Sequence, residues 1–185
     1  MASPRERMVA SAALLIRERG AQATAIADVL EHSGAPRGSA YHYFPGGRTQ
    51  LLCEAIDYTA DYVAAKFEKA ASGADLLDGM LSFYRKNLVE TDYRAGCPAL
   101  AVAVEAGEPD SPAPVLDRAA ATFERWNGLI AQRFVADGMP AERAKDLAVF
   151  VTASLEGAIV LARAARDIAP LDVVHRQLRR LLEAG

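Results

Sequence analysis

The segment Thr24–Phe44, TAIADVLEHSGAPRGSAYHYF, decides how this chain is read. Ile26, Val29 and Leu30 fall at helical spacing, Gly34 follows as a stop, and Pro36 opens a second short element that ends near Phe44. Two short helices meeting at a glycine are the form in which a helix-turn-helix presents a recognition helix to DNA. The second element carries donors suited to base edges and phosphates: Arg37, Ser39, Tyr41, His42 and Tyr43. Arg37 lies near the helix start, the end that enters the major groove, and Gly38 lets the backbone approach the duplex. Thr24 and Arg48, each near a helix N-terminus, are placed for phosphate, where backbone N–H groups and the helix dipole favour an anion. Tyr41 and Phe44 could equally fill the core of a small three-helix domain, and for Phe44 that is the role we expect.

Outward from this segment the punctuation is helical. Ser3-Pro4-Arg5-Glu6 pairs an N-cap with proline at the first helical position and an acid three residues after the cap, and Gly20 closes the helix that follows. Pro45-Gly46-Gly47 separates the reading segment from a long helix over 48–71. Further helices are predicted over 74–91 and 98–106, and another where Leu116, Ala119, Phe123, Trp126, Ile130 and Phe134 step by threes and fours. Gly107–Pro114 reads as a proline-rich loop. The helix over 141–166 has Glu156 as its only charge between Asp146 and Arg163, so it must be covered on most sides. A last helix spans 170–183, and no run alternates with period two. The fold class is therefore all-α, with about nine helices.

Composition narrows the function classes. Residues 1–50 hold six Arg against four acids, a balance of +2, whereas the remainder holds 15 basic and 20 acidic residues, a balance of −5. A mildly basic head on an acidic body fits a small DNA-facing module. No run of 18 purely apolar residues and no secretory leader appears, which gives the expectation of a cytoplasmic chain without a membrane partner. Cys53 and Cys97 make no metal or disulfide framework, and His32, His42 and His175 show no ligand spacing, so neither metal nor cofactor is expected. An enzyme on a helical bundle is the competing class, but there is no nucleophile elbow, paired His/carboxylate motif or phosphate-cradling glycine loop beyond PGG. A helical small-molecule-binding protein that does not bind DNA is the other.

A resemblance then becomes specific. GAQATAIADVLEHSGAPRGSAYHYF resembles the TetR family signature, roughly GxxATSVRDIAxxAGVSKGTLYHHF, with direct matches at Gly20, Ala23, Thr24, Asp28, Gly34, Gly38, Tyr41, His42 and Phe44. The continuation PGGRTQLLCEAI, with GCPALAVAVEA at 96–106 and LEGAIVLARAA at 155–165, looks like the lincomycin-repressor (LmrA/YxaF-like) branch. Ala27 stands where the family often has Arg, and Ala40, Leu30 and Pro36 also depart, so the operator sequence does not follow.

The resemblance implies a DNA-binding domain over 1–47 and a ligand-binding and dimerisation domain over 48–185. It further implies a homodimer on a palindromic operator, most simply a repressor released by a small apolar effector. The two last helices suit a four-helix interface between two copies, with Ala148, Thr152, Ser154, Gly157 and Ala158 small enough for close approach. Phe83, Tyr84, Leu100, Val104, Phe123, Trp126, Ile130 and Phe150 are the candidate lining of an apolar cavity, with Asn127, Thr152 and Glu156 as its polar groups.

Overall fold

In a computed structural model, residues 2–106 and 112–183 are described. They form nine helices: α1 (Pro4–Arg19), α2 (Ile26–Ser33), α3 (Ser39–Tyr43), α4 (Gly47–Phe67), α5 (Gly73–Glu90), α6 (Pro98–Ala103), α7 (Ala113–Ala136), α8 (Ala141–Ala165) and α9 (Ala169–Glu183). Most of the expected Gly107–Pro114 loop lies outside the described residues.

Local chemistry sets the helix ends. The Ser3 hydroxyl accepts the Glu6 N–H at 3.2 Å while the Glu6 carboxylate accepts the Ser3 N–H at 2.7 Å, a complete capping box. The Ser3 N–H, and after it the Ser3 hydroxyl beside the carboxylate, hold the Glu6 carboxyl below its ordinary pKa. Gly34, at φ +64°, closes α2 in the left-handed conformation that glycine adopts without strain. The reading element starts later than Pro36 suggested. Ser39 donates both its N–H, at 2.9 Å, and its hydroxyl, at 2.6 Å, to the Pro36 carbonyl, which closes a turn first and leaves only Ser39–Tyr43 helical.

The chain separates into two compact units. The first joins residues through Asp61 with Cys97–Thr122; Met8, Ile16, Val29, Phe44, Leu51, Leu52 and Ile56 are buried in it, and α6 packs on α1. The second joins Tyr62–Gly96 with Phe123 onward, and buries Leu77, Leu88, Ile130, Phe134, Ile159, Leu171 and Leu178. Within it Asp78 meets His175 at 2.7 Å and Arg179 at 3.6 Å, and Arg85 pairs with Asp172, tying α5 to α9.

These units do not follow the division at 47/48. The core of the first unit is not confined to α1–α3. The first turns of α4 and the buried face of α6 (Pro98, Ala99, Val102) add to it.

α8 is long and apolar enough to cross a membrane by length and composition alone. Ala144, Ala148, Val151, Leu155, Ala158, Ile159 and Ala162 point into the second unit. On its opposite face Val149, Phe150, Ala153, Gly157, Val160, Leu161 and Ala164 are exposed. Of the small residues expected to face a second copy, Ala148 and Ala158 therefore pack inward, and Gly157 is on the outer stripe.

Candidate nucleic-acid interface and effector cavity

α2, the Gly34 turn and α3 form the helix-turn-helix. Buried Val29, Ala40 and Phe44 anchor it, and Arg5 stacks over the Phe44 ring at 5.3 Å. Arg37, Gly38, Tyr41 and His42 are exposed, Tyr41 at 71%, so Tyr41 is a surface ring and Phe44 the core residue. Tyr43 is half-buried and meets the His42 ring edge-on at 5.1 Å.

The arginines of this head are unequal. Arg5 pairs with Glu54 at 2.6 Å, Arg19 with Asp28 at 2.7 Å, and Arg7 donates to the Ser33 and Ala2 carbonyls. Arg48 donates to the carbonyls of Ala21, Gln22 and Thr24. Among the described residues no hydrogen bond or ion pair engages Arg37. A guanidinium held open beside exposed Tyr41 and His42 is what a base-edge reader requires, since the planar fork matches the acceptors of guanine.

Three expected DNA contacts are occupied elsewhere. Thr24 is buried and its hydroxyl donates to the Gly20 carbonyl at 2.7 Å, and Ala25 rather than Thr24 caps α2. Ser39 spends its hydroxyl on Pro36. Arg48 gives its Nε–H and Nη2–H to carbonyls of the α1–α2 loop, backbone acceptors that need a partner. Sequence spacing places a residue at a helix end but not its partner.

The second unit contains a cavity of about 230 Å³. Phe83, Tyr84, Trp126, Ile130, Thr152 and Glu156 line it, as expected, and Val63, Phe67, Leu76, Met80 and Leu155 complete its apolar wall. Val63 and Phe67 sit one turn apart near the end of α4, an i, i+4 apolar pair visible in the sequence. Lys66 also lines it, its ammonium over the Tyr62 and Phe83 rings at 4.9 and 5.4 Å. Glu156 is the buried carboxylate of the lining, at 8% exposure.

Five other expected lining residues lie elsewhere. Leu100 and Val104 belong to the first unit, Val104 at 72% exposure. Phe150 lies on the outer stripe of α8 at 52% exposure. Phe123 packs edge-on against Trp126 at 5.9 Å behind the wall, and Asn127 accepts the Thr152 hydroxyl at 2.6 Å and so orients a lining residue. Among the described residues no cluster of His, Cys, Asp or Glu could hold a metal. Burial pushes the Cys53 thiol above its ordinary pKa, which leaves little thiolate for redox chemistry at neutral pH.

An exposed reading face on a helix-turn-helix, in a chain with a separate apolar cavity, defines a helical DNA-binding regulator. Comparison with known proteins narrows this. Residues 9–55 match the model of bacterial regulatory proteins of the tetR family, and residues 73–177 match the C-terminal domain of LmrA/YxaF-like transcriptional regulators. The HTH-type transcriptional regulator Rv0196 of Mycobacterium tuberculosis (strain ATCC 25618 / H37Rv) is 65% identical over 187 residues, covering 100% of this chain and 96% of the relative. LmrA of Bacillus subtilis (strain 168), an HTH-type transcriptional regulator, is 27% identical over 169 residues, 90% of each chain. The crystal structure of a TetR transcriptional regulator from Legionella pneumophila shares the fold at a TM-score of 0.84, with 20% identity and 98% of each chain covered. The chain belongs to the TetR family of transcriptional regulators, in its LmrA/YxaF-like branch.

Proposed function

We propose that the chain acts as a homodimeric repressor on a palindromic operator, released when a small apolar, aromatic-compatible molecule occupies the cavity bounded by Trp126 and Ile130. The observation that carries the DNA reading is the unengaged Arg37 beside exposed Tyr41 and His42, in a head whose Arg5, Arg7, Arg19 and Arg48 are all held within the chain. Arg37 and His42 read base edges, Gly38 admits the backbone, and Tyr41 and Tyr43 flank them. The outer stripe of α8, together with exposed Val173 and Leu181 of α9, is the two-fold interface. Covering it with a second copy fits a soluble cytoplasmic regulator better than a membrane span, because α8 carries the buried carboxylate of Glu156 within its apolar run. The chain works as a binding protein and not as a catalyst.

Release requires that the ligand bind one state more tightly than the other. α4 is suited to link the two events: Val63, Lys66 and Phe67 line the cavity, and Arg48 at the same helix's start holds the loop before α2.

Gel shift with the DNA immediately upstream of its own gene tests the reading directly. A retarded complex at low salt that survives competitor DNA is expected, and no shift with any adjacent intergenic fragment would overturn it. The cavity has its own reporter, since Trp126 is the chain's single Trp. Anilinonaphthalene sulfonate is expected to quench Trp126 emission saturably. Linear, collisional quenching would mean that the cavity takes no ligand of that size.

A further inference from the structure

The Gly20–Ala25 loop leads directly into α2, and charged groups grip it from two sides. From α4, Arg48 Nε–H donates to the Thr24 carbonyl at 2.9 Å; Nη2–H donates to the Gln22 carbonyl at 3.1 Å and reaches that of Ala21. From the end of α6, both oxygens of the Glu105 carboxylate accept the Gln22 N–H, at 3.3 and 3.2 Å. Gln22 thus has its N–H on a carboxylate and its C=O on a guanidinium. Gly20 permits this approach: it sits at φ +88°, and a Cβ there would collide with Glu105 Oε1. Charge-assisted bonds of this kind are about twice as strong as neutral ones. Gln22 is itself exposed, so without the grip its peptide groups would face water.

We propose that Arg48 and Glu105 are positioning residues for DNA reading: they contact no DNA, and together they fix the loop from which α2 and α3 are aimed. The aim of the reading head then depends on a residue 83 positions away in sequence and outside the helix-turn-helix. All the groups involved belong to the first compact unit.

The sign of the effect separates positioning from simple charge. Removing a carboxylate near a polyanion strengthens binding if only electrostatics acts. The clamp demands the reverse. In gel shifts over a salt series, Glu105→Gln is expected to weaken specific binding about tenfold, the scale of one charged hydrogen bond lost. Arg48→Ala is expected to weaken it similarly, with the slope of log affinity against log salt unchanged, whereas a lost phosphate contact would lower that slope by about one. The double variant should lose less than the product of the two, since both groups hold one loop.

Amide hydrogen exchange at Gln22 in the wild-type chain and in Glu105→Gln needs no DNA, and it stands even if Arg48→Ala fails to fold. Protection in the wild type that is lost in the variant supports the clamp. Fast exchange in the wild type, unchanged or tighter DNA binding by Glu105→Gln, or a shallower salt slope for Arg48→Ala overturns it. A wild-type chain that shifts no DNA at all counts against the regulator reading instead, and the exchange result then decides the clamp.

Discussion

Leu161→Glu is expected to convert the dimer to a monomer and to lower operator affinity by about a hundredfold or more. Leu161 is 61% exposed on α8, on the stripe that includes Val149, Phe150, Gly157 and Val160. In a two-fold dimer that stripe meets its own copy, so one substitution acts twice. Each copy forfeits about 1.5–3 kcal/mol of apolar burial and adds a carboxylate desolvation cost of several kcal/mol. A nanomolar dimer has only about 12 kcal/mol to lose. The fold of the single chain should survive, because the substituted side chain is exposed within it. Operator affinity falls because each monomer then binds a half-site alone, without the effective concentration its tethered twin supplies. Sedimentation velocity and gel shift read the two effects. A variant that stays dimeric would mean that the interface lies elsewhere, and a monomeric wild type would remove the palindrome from the reading.

The outer face of α8 also shows where sequence reasoning stops. Some helix ends were legible because they are local: a serine three residues before a glutamate, a glycine at Gly34 and a proline at Pro98 act on neighbouring peptide groups wherever the helix goes, whereas α3 starts after Pro36 and α4 and α6 stop at Phe67 and Ala103, short of the expected 71 and 106. Apolar periodicity was legible too: it found the two last helices to within a residue at each end, and it marked the face of α7 from Leu116 to Phe134, although α7 begins at Ala113, inside the stretch expected to be loop. Periodicity says that a face must be covered and not by what. Phe150 was therefore assigned to a cavity although it belongs to the stripe opposite, and Leu100 and Val104 were drawn to the same cavity from a helix that serves the first unit. The loop partners of Arg48 are not legible for a related reason. Its carbonyl partners lie 24 to 27 positions earlier in the chain, in a loop whose shape follows from Gly20 and from the Glu105 carboxylate just beyond α6. The exposure of Arg37, Tyr41 and His42 was legible, since they lie on a stretch too short to bury them all.

Arg37→Ala is expected to abolish discrimination between operator and unrelated DNA while leaving the dimer intact. A guanidinium bonded to both acceptors of one guanine is worth about 1–3 kcal/mol against the wrong base, and two half-sites double that to about 2–6 kcal/mol. The side chain is exposed and no partner within the described residues holds it, so its removal leaves no buried group unsatisfied and should not move the melting temperature. Arg5→Ala is the informative contrast. It removes the same charge from the same head, but breaks the Glu54 pair and the stacking on Phe44, so its cost should appear in stability and little in base preference. Arg37→Lys separates charge from geometry, because an ammonium keeps the attraction to phosphate and loses the fork. If Arg37 reads a base, Lys restores binding to unrelated DNA but not the preference for the operator. If Arg37 meets only phosphate, Lys restores both and the specificity ratio never changes, which would move the reading role to His42 or Tyr43.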